Sequence, residues 1–201
     1  MQHEIEVKFL YVDHDKLRQK LLELGAVCEH PMRLMRRVML DFPDKRFSNS
    51  NQSQRLRIRD EGDKVTLTYK EKSRETKYAY EIETTVGSFE DTLRLFKAIG
   101  LVDFSFQESK RETWKLNDVE VVLDEWPWAH TYIEIEGPNE ETIAGVAEKL
   151  GFDWNKAKYG SVDTVYRSQY LGMTADESIG DLSEVRFNVP LPQYLKDRQK
   201  P

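Results

Sequence analysis

The sequence predicts an α+β fold: an eight-stranded antiparallel β-barrel, closed, with helices packed on its outside. Three observations carry that expectation. Eight segments alternate apolar and polar residues at period two, three amphipathic segments carry helix start and stop signals, and the charges on the strands share one parity. A chain of 201 residues suffices for one well-buried domain and a tail. An open antiparallel sheet with one face in water produces the same alternation and stands as the alternative.

The strands are expected at residues 3–9, 36–42, 55–60, 65–72, 77–84, 108–116, 119–125 and 131–137. Alternate residues of a strand share a face, so each "EIE" copy aims two carboxylates one way and an isoleucine the other. Three copies occur, at Glu4–Glu6, Glu81–Glu83 and Glu134–Glu136, each followed by a helix. The first helix runs from Asp13 to Gly25. The second has Ser88 and Asp91 spaced as a capping box and stops at Gly100. The third runs from Asn139 to Gly151, and a short fourth follows Gly160. "DEGD" (Asp60–Asp63) and "ND" (Asn117–Asp118) read as hairpin turns, and Pro43–Gln54 as a longer polar loop. Residues 1–171 are taken as one domain and 172–201 as an irregular extension capping one mouth of the barrel, within which "EVRFNVP" alternates enough to dock as a short edge strand.

Composition narrows the function classes. A formal net charge of -6 argues against a dedicated nucleic-acid binder. No apolar run approaches the ~20 residues that span a bilayer, and the acidic, alternating N-terminus is unlike a signal peptide. The one cysteine, Cys28, fits a reducing compartment and reads as a small buried apolar residue; the expected location is the cytoplasm. His3, His14, His30 and His130 show no metal-ligand spacing.

Parity then sorts the strands. Ile5, Val7, Phe9, Val38, Leu40, Leu56, Ile58, Val65, Leu67, Val121, Leu123, Ile133 and Ile135 fall on one face. The other carries Glu4, Glu6, Lys8, Arg37, Asp41, Arg55, Arg57, Arg59, Lys70, Lys72, Lys77, Glu81, Glu83, Arg111, Lys115, Glu120, Asp124, Glu134 and Glu136. Glu112 and Trp114 blur the sixth strand by sharing a face. A merely solvated face mixes in Ser, Asn, Gln and Thr, whereas this one is nearly all ionisable. Eight strands also close into a barrel that can hold one small ligand. Carboxylates crowded in such a bore need a cation, and a hard divalent ion such as Mg²⁺ or Mn²⁺ suits oxygen ligands. Clustered Arg and Lys need a polyanion, for which guanidinium forks fit phosphate oxygens. A metal-chelated polyphosphate meets both demands. No Gly-rich phosphate loop is present, so the cage would be built of side chains.

"EIEVK" (Glu4, Glu6, Lys8) resembles the N-terminal ExExK signature of the CYTH domain, whose family comprises class IV adenylyl cyclases, thiamine triphosphatases and inorganic tripolyphosphatases, together called triphosphate tunnel metalloenzymes. "RLRIR" (Arg57, Arg59), "LTYK" (Lys70), "EIE" (Glu81, Glu83), "KRETW" (Arg111), "VVLDEW" (Asp124) and "YIEIEG" (Glu134, Glu136) follow in the family's order, from about residue 3 to Tyr170. The resemblance implies an eight-stranded tunnel and a divalent-metal-dependent triphosphatase or adenylyl cyclase. It implies Glu4, Glu6, Asp124, Glu134 and Glu136 as metal ligands, and Lys8, Arg57, Arg59, Lys70, Lys72 and Arg111 as the triphosphate grip. Lys8, Glu4 and Glu6 would be the catalytic group, and Glu81 and Glu83 would bind a second metal or orient the basic residues. Ser109 stands where a tunnel lysine is expected, Ala79 where an arginine often precedes the acidic pair, and Met39 replaces an aromatic near Asp41.

The expected partner is a small-molecule triphosphate: tripolyphosphate, ATP or thiamine triphosphate, with neither nucleic acid nor membrane, and a homodimer left open. Water as nucleophile makes the chain a triphosphatase; the ribose 3′-hydroxyl of ATP makes it a cyclase releasing cyclic AMP and pyrophosphate. A non-catalytic polyphosphate or nucleotide sensor would use the same cage. Trp114, Trp126, Trp128 and Trp154 are candidate platforms for an organic moiety, the loop "EWPWAH" (Glu125–His130) being the most interesting.

Overall fold

The structure, a computed structural model, describes residues 2–3, 5–72 and 79–199. The elements are β1 (Gln2–His3), β2 (Glu6–Leu10), α1 (His14–Glu23), β3 (Val27–Asp41), β4 (Arg55–Asp60), β5 (Val65–Glu71), β6 (Tyr80–Val86), α2 (Phe89–Ala98), β7 (Val102–Leu116), β8 (Val119–Glu125), β9 (Tyr132–Glu136), α3 (Glu140–Lys149), α4 (Asp163–Gln169), β10 (Glu184–Val185) and α5 (Gln193–Lys196). Single 3-10 turns lie at Trp154–Lys156 and Ile179–Asp181. The hydrogen-bonded path runs β1-β6-β5-β4-β3-β7-β8-β9-β2, with β10 on β7. The ladders β1–β6, β3–β4, β4–β5, β5–β6, β7–β8, β8–β9 and β2–β9 are antiparallel, whereas β10 is parallel to β7. The α+β antiparallel sheet is thus as expected, but "closed" says too much. The path ends at β1 and β2, two pieces of one N-terminal stretch that pair with different partners.

The chain divides into two compact units. The first holds residues 1–4, 34–109 and 178–189. Its core is Val38, Leu40, Leu56, Ile58 and Leu101, with Phe42, Phe47, Val65, Leu67, Phe89, Leu93 and Phe96 against it. These are the apolar-parity residues of β3, β4 and β5 and the inner stripe of α2. Ser88 caps α2 by accepting the Asp91 N–H, and Gly100, at φ 103°, turns the chain so that the Leu101 N–H reaches the Phe96 carbonyl. The loop after β3 is organised by Asp41. Its carboxylate accepts from the backbone of Phe42, Phe47 and Ser48 and from Ser48 Oγ.

The second unit holds residues 5–33, 110–177 and 190–201. Val7, Phe9, Val119, Val121, Leu123, Ile133 and Ile135 pack there against Leu17 and Leu21 of α1 and Ile143, Val146 and Ala147 of α3. Asp13 and Asn139 cap those helices through backbone N–H groups. The blurred parity of Glu112 and Trp114 has a physical cause: Glu112 is buried beneath α1, where Arg18 donates to it from Nε and Nη2 and Trp114 Nε1 donates at 2.6 Å.

Five expectations need correction. The second strand begins at Val27 rather than residue 36, and the sixth at Val102 rather than 108. Pro31 and a non-alternating pattern disguised the first extension, and the small and polar residues of "VDFSFQ" the second. Cys28, on that unanticipated part of β3, is exposed rather than buried. The fifth strand starts at Tyr80, while Lys77 lies outside the described residues. The charged face is also less purely ionisable than expected, because Thr66 and Thr68 share its parity and are buried. No helix of the described residues is long and apolar enough to cross a membrane.

Candidate functional site

In the second unit, cross-strand register brings the predicted residues of β2, β7, β8 and β9 together. Lys8 is the direct partner of Glu134, and Arg111 of Asp124. Lys8 Nζ lies 2.8 Å from Glu6 Oε1 and 3.0 Å from Glu134 Oε1. Arg111 chelates Asp124 through Nε at 2.8 Å and Nη2 at 2.5 Å, and Nη2 reaches Glu134 Oε2 at 2.8 Å. Glu134 therefore bridges the lysine and the arginine. Two members are dry, Lys8 at 2% exposed and Asp124 at 0%, whereas Arg111, Glu134 and Glu6 are half-buried.

Burial alone would drive the Lys8 ammonium toward its neutral form. The Glu134 and Glu6 carboxylates overcome it and hold Lys8 above its ordinary value. Arg111 is raised in the same way by Asp124 and Glu134 against the pull of burial. Asp124 is pushed up by burial and by Glu134, with Arg111 opposing. The arginine side of the pair thus favours charge and the aspartate side resists it; the two-pronged geometry decides for an ion pair.

In the first unit β5 lies between β6 and β4, so Lys70 of β5 sits opposite an acid of β6 and the arginines of β4 one strand further on. Lys70 and Glu81 are register partners, with Nζ 2.5 Å from Oε2. Arg59 is held by Glu61, from Nε at 2.9 Å and Nη2 at 2.6 Å. Arg57 differs. Its Nη2 is 3.7 Å from Glu83 Oε2, an oxygen that already accepts from Thr68 Oγ1 at 2.7 Å. Its Nε is buried and makes no hydrogen bond among the described residues. That leaves one donor of a half-buried guanidinium unmet. Lys72 lies just past the end of β5, its backbone N–H bonded to the Gln52 carbonyl.

Of the acids expected at a metal, Glu4 lies outside the described residues. Glu6 and Glu136 are direct partners on β2 and β9, and Glu120 continues the row on β8. Like charges placed opposite each other destabilise a ladder unless a cation lies between them. The donor chemistry of Glu6, Glu134 and Glu136, all carboxylate oxygen, therefore fits a hard divalent ion. As arranged, Lys8 holds Glu6 and Glu134 and Arg111 also holds Glu134, and among the described residues no three acids converge on a metal position. Asp124, fully engaged by Arg111, is the member that fits least.

The tryptophans divide. Trp114 is buried in the core of the second unit, half-buried Trp154 packs against that core, and Trp126 is also buried. Trp128 adopts φ 61° in a loop pinned by α4: Tyr166 Oη donates to the Pro127 carbonyl, and Tyr170 Oη and Gln169 Nε2 to that of Trp128. Ser109, at the position expected for a lysine, is buried. The sequence places Arg37 on the charged face without a role, and Gln107 and Glu61 were missed: Gln107 shares the charged parity of β7 but carries no charge, and the period-two pattern of β4 stops one residue short of Glu61.

The CYTH domain model matches residues 2–168. The chain belongs to the CYTH domain family. A proposed adenylate cyclase of Methanocaldococcus jannaschii is 26% identical over 175 residues, covering 84% of this chain and 96% of that protein. The structure of a proposed adenylate cyclase from Vibrio parahaemolyticus superposes with a TM-score of 0.69 at 13% identity, covering 82% of this chain and 97% of that one. A proposed adenylyl cyclase of Hippeastrum, described as having a dominant triphosphatase activity, gives 0.54 at 16% identity, covering 82% and 95%. These CYTH neighbours share the fold.

Proposed function

We propose that this CYTH chain binds a triphosphate as its divalent-metal chelate and cleaves it, hydrolysing inorganic tripolyphosphate or an organic triphosphate. The observation that carries the reading is Arg57, whose buried Nε is unsatisfied beside Arg59 and Lys70. Phosphate oxygens are the acceptors that a cluster of this charge and geometry recognises. Arg57, Arg59, Lys70 and Lys72 grip phosphate oxygens in this reading. Glu81 and Glu83 orient the grip, since Lys70 and Thr68 already engage them. Lys8 holds positive charge in a dry setting, with half-buried Arg111 linked to it through Glu134, and a low-dielectric setting is where charge developing on a transferring phosphoryl group is stabilised most strongly. Glu6, Glu134 and Glu136, with Glu4, would hold Mg²⁺ or Mn²⁺. When bound, that ion neutralises phosphate oxygens and activates the attacking water.

A cyclase is the second reading, favoured by the name of the M. jannaschii relative. Against it, two of the four candidate tryptophans are committed to packing, which leaves little aromatic surface for an adenine. Incubation with tripolyphosphate, ATP and thiamine triphosphate, each with Mg²⁺ or Mn²⁺, separates the outcomes. Orthophosphate release supports the hydrolase, cyclic AMP with pyrophosphate replaces it by the cyclase, and binding without turnover replaces it by a sensor. Metal-dependent activity that survives Glu4→Gln with Glu6→Gln would remove those two residues from the cation's ligand set.

A further inference from the structure

Threonine interrupts the face that carries the charges of the first unit, and Thr68 is 0% exposed there. Register shows what surrounds it. Arg57 of β4 is paired with Met39 of β3 on one side and with Thr68 of β5 on the other, and Thr68 is paired with Glu83 of β6. The row Met39–Arg57–Thr68–Glu83 crosses four strands on one face, because directly opposed residues share a face. Met39 brings a thioether, a weak acceptor. Glu83 is the carboxylate of the row, and its backbone stands two strands from that of Arg57, about 10 Å away.

Two sets of threonine, carboxylate and arginine lie on this face, and they differ in the way a competition for one oxygen requires. Thr66 Oγ1 is 3.4 Å from Glu61 Oε1, a long bond, and that oxygen takes Arg59 Nη2 at 2.6 Å and Nε at 2.9 Å. Thr68 Oγ1 donates to Glu83 Oε2 at 2.7 Å, and Arg57 Nη2 stands 3.7 Å from that oxygen, attracted to it but beyond hydrogen-bond distance. Lys70, which meets its β6 partner with no hydroxyl between, closes on Glu81 Oε2 at 2.5 Å. The short hydroxyl bond goes with the arginine that stands off.

We propose that Thr68 is a positioning residue for the phosphate grip: its hydroxyl anchors Glu83 short of a two-pronged chelate with Arg57, leaving the guanidinium inside the field of the carboxylate with its donors available to phosphate oxygens. The proposal rests on the triphosphate reading. Its physical content is a balance. A chelated guanidinium must break charge-assisted bonds before it donates to a phosphate, whereas one with no counter-charge is costly to hold in a half-buried place. A carboxylate pinned 3.7 Å away avoids both.

Calorimetric binding of Mg²⁺–tripolyphosphate to the full-length chain tests this, with Mg²⁺–ATP and Mg²⁺–thiamine triphosphate as further probes and melting curves run alongside. Thr68→Val, close in shape but without the hydroxyl, releases Glu83 to close on Arg57 and should weaken binding about fivefold to tenfold. The Glu83 side chain is 34% exposed, so water replaces the lost donor and the variant keeps its fold; Thr68→Ala removes the same hydroxyl and decides if Thr68→Val melts early. Thr68→Ser keeps the hydroxyl and should bind within about twofold of the unaltered chain. In steady-state hydrolysis the loss should fall on KM, with kcat within about twofold, as expected when ground-state and transition-state binding weaken alike. Adding Glu83→Gln to Thr68→Val should recover most of the loss, since an amide does not chelate a guanidinium as a carboxylate does. If Arg57→Ala loses affinity while Thr68→Val binds as the unaltered chain does, this proposal falls and the triphosphate reading stands. It falls likewise if Glu83→Gln leaves the Thr68→Val loss in place, or if Thr68→Ser is as weak as Thr68→Val. If the unaltered chain binds none of the three triphosphates, the underlying reading falls and takes this proposal with it.

Discussion

Arg111→Met isolates the electrostatics of the buried network from any question of substrate. The substitution keeps an apolar stem of similar length and removes three hydrogen bonds, two to Asp124 and one to Glu134. Asp124 has no exposure and gains no water in exchange. Breaking a buried pair from one side costs about 3–5 kcal/mol, so the loss should approach that range at neutral pH. Its pH dependence has a definite sign. Burial and Glu134 already lift the Asp124 carboxyl above its ordinary value, and Arg111 is the main force pulling it down. Without Arg111 the folded protein holds the Asp124 proton at a pH where the unfolded chain has released it. Stability of the variant therefore falls as pH rises from the unfolded value of about 3.9 toward the raised folded value, by up to about 1.4 kcal/mol per pH unit. Urea titrations at pH 5 and pH 8 measure this directly. The variant should be closer to the unaltered chain at pH 5, and adding Asp124→Asn should restore about 2 kcal/mol or more at pH 8. A loss under about 1 kcal/mol, or a loss independent of pH and not relieved by Asp124→Asn, would refute the buried ion pair.

Arg57→Ala should change stability by less than about 0.5 kcal/mol, because its Nε satisfies nothing in the folded chain, yet raise KM for tripolyphosphate by more than about tenfold; steady-state kinetics with a parallel melt checks both. Asp41→Ala removes the acceptor for four donors at the start of the loop after β3 and should destabilise by about 2–4 kcal/mol in urea titration. Burial opposes the shift, but the donors from Ser48, Phe47 and Phe42 hold the Asp41 carboxyl below its ordinary value. Its contribution is therefore complete above the unfolded value of about 3.9 and fades as pH drops through the lower folded value. Glu6→Gln with Glu134→Gln should raise the Mg²⁺ concentration for half-maximal activity by more than about tenfold, while melting curves without metal show Lys8 less well held.

Period-two alternation made most of the fold legible, because β2, β4, β5, β8 and β9 each bury one apolar face against helices or core and put most of their polar and charged residues on the other. It also gathered Lys8, Glu134, Arg111 and Asp124, since residues on one face of neighbouring strands become register partners wherever the hairpins are tight. It failed where burial came from both sides. Ser105 and Gln107 look like loop chemistry in sequence, yet the tail covers them on β7. A contact between residues 105 and 182 leaves no local pattern. Glu112 misled for a related reason: its partners are on α1, far away in the chain and on the wrong face for the charge rule.

Some buried charged groups have their hydrogen-bonding capacity met inside the fold, whereas Arg57 Nε does not. Asp41 and Glu112 are ionisable and buried, and either could be mistaken for site residues on charge alone. Each is surrounded by donors of its own neighbourhood, four at Asp41 and the Arg18–Trp114 set at Glu112, so neither has an evident acceptor left to offer. Glu134 and Lys8 form a tighter network, and buried ion pairs are seldom better for stability than well-packed apolar side chains. Stability is therefore a weak reason for that network to be there. Arg57 goes further, since its buried Nε costs free energy that nothing within the described residues returns. The imbalance is what an anion of matching geometry would correct, and it lies on β4, the strand that also carries Arg59.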